Sequence, residues 1–237
     1  MLARRAGEPV RFNPLPVIVS MNAQQSFLLR YPSASLLFIQ LLGILLYPFL
    51  EELSRGRAVM GAFGIVVLVA ALRMVRRSPT IHWIALTLAG CILALTIIVE
   101  VRSDPVLRLT LAALEAAFYF YAAASLIAYM MEDQRATTDE LFAVGATFTL
   151  LAWAFAYSFV VCQLLIPGSF TALHEPDAPR TWLELLFLSF TILSGVGIGD
   201  ILPVTPMARA LVMLEQFAGV MYIALVVSRL IGLTIRR

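Results

Sequence analysis

Residues 194–203 read Ser-Gly-Val-Gly-Ile-Gly-Asp-Ile-Leu-Pro and carry the clearest chemistry of this chain. Gly195, Gly197 and Gly199 alternate with Val196 and Ile198. Glycine enters left-handed backbone conformations at no steric cost, so the segment can alternate in handedness and turn successive carbonyls toward one line. Several such loops around an axis would stack rings of carbonyl oxygen, which replace the hydration shell of a monovalent cation. The other chemistry open to a Gly-x-Gly-x-Gly run, phosphate binding, needs a preceding strand and a βαβ unit. Neither is present, although a plain glycine-rich turn between helices stays open. No nucleophile–base pair and no metal-ligand spacing emerges, so neither an enzyme nor a cofactor is expected.

A carbonyl ring works only if it is held away from water, and the composition supplies the means. The chain has 237 residues, of which 61% are hydrophobic, with a mean hydropathy of +0.90. Soluble domains are about half apolar, and here the excess comes in long runs, which points to a polytopic membrane protein with the lipid bilayer as its surroundings. The net charge of +2 gives no reason to expect a nucleic-acid partner. Cys91 and Cys162 lie inside apolar runs, far from any C-x-x-C pattern, and are read as reduced core residues. The first residues carry Arg4, Arg5 and Arg11 and then an apolar patch broken by Pro14 and Pro16, which does not fit a secretory signal. Residues 1–33 are therefore expected to be a cytoplasmic tail, with Met21 as an alternative start.

A spanning helix needs roughly 20 apolar residues. Six segments qualify: 34–50, 57–74, 80–99, 106–131, 138–166 and 206–233. A seventh, 181–193, reaches only about 20 Å as a helix and can enter the membrane without crossing it. The expectation is an all-α membrane protein of six transmembrane helices, with one re-entrant helix and loop between the fifth and sixth. It divides into a four-helix transmembrane domain over 34–131 and a pore domain over 138–237. With both termini in the cytoplasm, the inner side holds Arg73, Arg76, Arg77, Arg135 and Arg229 among others, against Arg55, Arg57, Arg102, Arg108, Arg180 and Arg209 outside. That asymmetry satisfies the positive-inside rule and suits a multi-pass protein of the plasma (inner) membrane. Thr137 with Glu140, and Thr181 with Glu184, have the spacing of capping boxes; Pro206 suits the first turn of the last helix.

The stretch from Thr181 to Gly232 resembles the pore module of tetrameric potassium channels, and especially bacterial members of the two-helix ion-channel superfamily. The family's filter, T-V-G-Y-G-D, corresponds here to Gly195, Val196, Gly197, Ile198, Gly199 and Asp200. The likeness continues through Pro203, Val204, Thr205, Arg209, Met213, Leu214 and Glu215, and reaches weakly into the fifth helix over 139–143. Residues 1–130 carry no such likeness. The resemblance implies a homotetramer conducting potassium, the permeant ion, between the backbone carbonyls of Gly195, Val196, Gly197 and Ile198. Gly219 falls where the family has its gating-hinge glycine. Two positions depart from the pattern: Gly195 replaces a threonine whose hydroxyl serves the innermost site, and Ile198 replaces an aromatic residue that ties the filter to its wall. A weakly selective monovalent-cation channel, and a non-conducting subunit or sensor with a degenerate filter, therefore remain as alternatives.

Around the loop, Ser189, Thr191, Ser194 and Glu215 are candidate filter supports, Glu215 reaching the filter's wall through Ser189 or Thr191. Glu175 and Asp177 would ring the outer mouth and concentrate cations there; His174 beside them is not read as a pH sensor. The fourth helix has Arg108 at its start and Glu115 inside it, without the repeated arginines that steep voltage gating needs. Glu100, Arg102, Arg108 and Glu115 are read as an ion-pair cluster, with a ligand or proton site as the alternative.

Overall fold

The apolar runs become helices within about two residues of the expected bounds. The computed structural model describes residues 31–51, 56–75, 81–102, 104–132 and 137–235; most of the N-terminal tail therefore lies outside the described residues. Five helices come first: α1 (Pro32–Glu51), α2 (Gly56–Val75), α3 (His82–Val101), α4 (Pro105–Glu132) and α5 (Thr138–Leu165). After a short strand β1 (Phe170–Ala172) come the half-length helix α6 (Trp182–Leu193) and strand β2 (Ile201–Pro203). The last apolar run forms α7 (Pro206–Tyr222), a π-helical turn over Ile223–Val227, and α8 (Ser228–Ile235). Among the described residues, α3, α4, α5 and the segment Pro206–Val227 are long and apolar enough to cross a membrane. The protein is a helical membrane protein.

Contacts at the helix ends fix their directions. Ser33, opening α1, donates from its backbone N–H (3.1 Å) and its hydroxyl (2.8 Å) to the Asp139 carboxylate in the first turn of α5. The sulfur of Met74, near the end of α2, lies 3.7 Å from the same hydroxyl. His82 Nδ1 sits 3.2 Å from the Val75 carbonyl, and Arg229 of α8 donates to the Met131 carbonyl near the end of α4 at 2.8 Å. The starts of α1, α3 and α5 thus meet the ends of α2 and α4 and the start of α8 at one pole. At the other pole the Tyr47 ring of α1 packs 5.4 Å from that of Trp182, which opens α6.

Small residues let these helices approach. Ala85 and Ala89 of α3, Ala122 and Ala123 of α4, and Ala146, Ala152, Ala154 and Ala156 of α5 are all buried in one core with Leu36, Val67 and Leu186. Lipid tails are as apolar as leucine, so close van der Waals packing carries such contacts, and alanine permits it. The core runs unbroken from α1 to α6, across the boundary at residues 131–138. A second cluster, with Phe159, Phe170, Leu188, Ile201 and Ala208, ties the half-length helix to α5 and α7.

Three features differ from the sequence expectation. The chain is not purely helical: β1 and β2 pair antiparallel, Phe170 opposite Pro203 and Ala172 opposite Ile201. The last run is not one continuous α-helix, because the π turn interrupts it. Cys162 is buried as expected, whereas Cys91 sits on an exposed face of α3 rather than in the core.

Candidate functional site

Helix α6 is started by its cap and stopped by glycine. The Thr181 hydroxyl accepts from the Glu184 N–H at 3.3 Å, and the Glu184 carboxylate accepts from the Thr181 N–H at 2.6 Å. Such a box satisfies two donors that a helix start leaves open. Leu185, Leu186, Leu188, Ile192 and Leu193 bury its apolar face. At the far end Ser194 N–H returns to the Phe190 carbonyl (3.1 Å) and Gly195 N–H to that of Ile192 (3.0 Å).

From there the backbone alternates as the glycines allow. Gly195 and Gly197 have φ of +73° and +66°, while Val196 and Ile198 between them stay out of the left-handed region. The Gly197 N–H donates to the Thr191 carbonyl at 2.9 Å, folding the loop back onto α6. Gly199 differs from its partners: its φ is not left-handed, and a Cβ there would stand 3.3 Å from the Ile201 carbonyl oxygen. Every residue from Ser194 to Asp200 is exposed, including Val196 at 62% and Ile198 at 65%.

The inner end of α6 is braced at mid-length of α5 and α7. Ser189, fully buried, donates to the Ala152 carbonyl at 2.8 Å and hydrogen-bonds the Glu215 carboxyl. Of the two supports expected for Glu215, the structure selects Ser189. Thr191 instead gives its hydroxyl to the Leu188 carbonyl (2.8 Å) and serves the loop through its own carbonyl, which also receives the Ser194 hydroxyl at 3.3 Å. Glu215 is fully buried, and its second oxygen has no partner among the described residues. It therefore holds the body of α6 rather than touching the glycine loop. A Cβ on Gly219 would overlap the Leu193 carbonyl and lie 3.1 Å from its Cα. This glycine is required for close approach; the irregular backbone comes four residues later, in the π turn.

Glu175 and Asp177 are exposed in the loop between β1 and α6. Sequence reasoning missed the residue that shapes this loop. Arg180, only 6% exposed, donates to the carbonyls of Ala178 (3.0 Å) and Glu175 (2.5 Å) and pairs with Glu184 at 3.1 Å. Its own backbone N–H is held by Gln163 of α5 at 2.8 Å. The expected ion-pair cluster of Glu100, Arg102, Arg108 and Glu115 does not form among the described residues; both acids instead line a cavity between α1–α6.

The comparisons with known proteins fall on the same region. An ion-channel family profile matches residues 116–236, half of the chain. The chain belongs to that ion-channel family. Searches of curated proteins and of solved structures returned no match. In this ion channel the matched region opens within α4 and takes in α5, α6, the glycine loop, β2 and α7, so the exposed Ser194–Asp200 segment lies inside it.

Proposed function

We propose that the protein is a passive potassium channel whose filter is built from the carbonyls of Gly195, Val196, Gly197 and Ile198 in four copies of the chain. One observation carries this reading: a loop of alternating backbone handedness, wholly exposed in the single chain, at the tip of a helix that stops at mid-length of its neighbours. An apolar loop at that depth is tolerated only where it is buried by protein or lines a water-filled path. Fourfold assembly supplies both. It also covers Met213, Leu214, Phe217 and Val220, an apolar stripe of α7 that is at least 60% exposed in the lone chain.

In this arrangement α1–α5 and α7–α8 make six crossings, α6 with its loop is re-entrant, and both termini face the cytoplasm. That assignment is supported by the shared pole of Ser33, Met74, His82, Asp139 and Arg229. The C-terminal end of α6 points its partial negative charge toward the ion path, which favours a cation there. Ions pass by knock-on between adjacent carbonyl sites, and Glu175 and Asp177 raise cation concentration at the entrance. Gly219 and the π turn together make the place where the lining helix can bend.

The second reading, a weakly selective monovalent-cation channel, is favoured by Gly195, which brings no hydroxyl to the innermost site. Recordings from purified protein in planar bilayers, with potassium replaced by sodium on one side, decide between the two. A reversal potential following potassium alone supports the first reading, and one insensitive to the exchange supports the second. Silence from correctly assembled protein overturns both in favour of a non-conducting subunit.

A further inference from the structure

A cavity of about 280 Å³ lies between α1–α5 and the start of α6, apart from the glycine loop. Its size falls at the lower bound for small-molecule sites. Two kinds of group line it. Five aromatic rings form one connected wall: Tyr119 stacks on Tyr157 (5.6 Å) and meets Trp153 edge-on (5.4 Å), while Trp182 contacts Trp153 (5.1 Å), Tyr157 (5.8 Å) and Tyr47 (5.4 Å). Two acids line the same cavity: Glu115, one turn before Tyr119 and hydrogen-bonded to Tyr157, and Glu100 of α3. No arginine lines the cavity among the described residues.

The wall is also short of acceptors. The indole N–H groups of Trp153 and Trp182 are buried and have no partner among the described residues, and Trp153 is only 2% exposed. The cavity does not open onto these two atoms, so an occupant meets the indole rings rather than their N–H groups. Acids and aromatic faces converging on one apolar cavity are the recognition chemistry of an organic cation. A lipid chain would use neither acid.

We propose that this cavity binds an organic ammonium ion that carries apolar substituents. Glu115 and the ring of Tyr157 hold the cationic head, and the ring of Trp182 covers an apolar substituent. Trp182 is also the first residue of α6, so an occupant touches the element that carries the glycine loop. The site is thereby placed to modulate the channel without lying in the ion path.

The test reads binding and is independent of conduction, so a silent channel leaves the proposal standing. Full-length protein carrying Trp83→Phe keeps Trp153 and Trp182 as its only tryptophans, and their fluorescence reports the cavity. Two probes are titrated: choline phenyl ether, and its uncharged carbon isostere 3,3-dimethylbutyl phenyl ether. The expected result is saturable quenching by the cation, with affinity lowered about tenfold by Glu115→Gln and the isostere's affinity unchanged by that substitution. Comparing variant with parent for each probe cancels partitioning into detergent. Should Glu115→Gln fail to assemble, Tyr157→Leu replaces it, removing the ring while keeping apolar bulk, and the same selective loss is expected. Absence of saturable quenching, or equal effects of the substitution on both probes, overturns the proposal.

Discussion

The glycines of the loop are constrained in different ways, and substitutions should separate them. Gly197 has a left-handed φ and its N–H is used by Thr191, so Gly197→Ala forces a non-glycine residue into a strained region. Gly199 has an ordinary φ, and its limit is the Ile201 carbonyl at 3.3 Å from a would-be Cβ, a contact eased by a few tenths of an ångström. Gly197→Ala is therefore expected to abolish current with assembly intact, and Gly199→Ala to keep a measurable fraction of it, as macroscopic recordings at equal protein loading would read. Equal currents from Gly197→Ala and the parent would remove this loop from the ion path. Gly195 is also left-handed, and although no atom lies within 4 Å of a Cβ there, a β-branched side chain is strained at that φ whatever the space. Gly195→Thr is therefore expected to lose current as Gly197→Ala does, read in the same recordings. A variant that conducts with potassium over sodium discrimination above the parent's would show that the backbone there yields and that the added hydroxyl serves the proposed innermost site.

At the scale of elements, α6 depends on its first turn. The Thr181 hydroxyl and Glu184 carboxylate close a reciprocal box, and Glu184 also takes the Arg180 guanidinium that orders the preceding loop. Thr181→Ala should destabilise the helix by about 1 kcal/mol, and Thr181→Ser should restore most of it. Thermal unfolding of the assembled protein reads the difference; no shift for the alanine variant would show the box to be dispensable. This cap was legible from sequence because its donors and acceptors lie three residues apart, and the helix lengths were legible because apolar runs count directly against membrane thickness. The π turn was not: Ile-Ala-Leu-Val-Val continues an apolar run without a break, and only the helix's neighbours decide its hydrogen-bond pattern. The pairing of Phe170–Ala172 with Ile201–Pro203 also escaped, since strands of three residues carry no periodicity. Arg180 registered in sequence only as one more outer charge. The aromatic cavity was invisible for a related reason, because its rings come from α1, α4, α5 and α6 and meet only once those helices are folded together.

For the whole molecule, the proposed fourfold assembly has to cover surfaces that the single chain leaves open. Its carbonyl loop faces outward at Val196 and Ile198, and the stripe of Met213, Leu214, Phe217 and Val220 on α7 is exposed beside it. Both surfaces belong to the region that carries the family relationship, while the helices before it bury Ala71, Ala85 and Ala89 within the chain. A single loop offers carbonyls from one side only, and a cation stripped of its water needs them from all sides. In the proposed assembly, closed cyclic symmetry would provide this with one kind of contact, each copy's α7 stripe meeting the next copy. The mass of detergent-solubilised protein is therefore expected at four times 26.1 kDa, measured by light scattering with the detergent contribution subtracted or by native mass spectrometry. Replacing Phe217 and Val220 together by serine should shift the population toward smaller species and abolish current, while leaving the fold of α1–α5 intact by circular dichroism. Phe217 and Val220 are 66% and 65% exposed in the lone chain, so the double substitution removes no core packing within it. A stable tetramer in that variant would place the assembly contact elsewhere on the chain. A stable monomer of the parent protein would leave the carbonyl loop with no ion to enclose, and the proposed conduction path would fall with it.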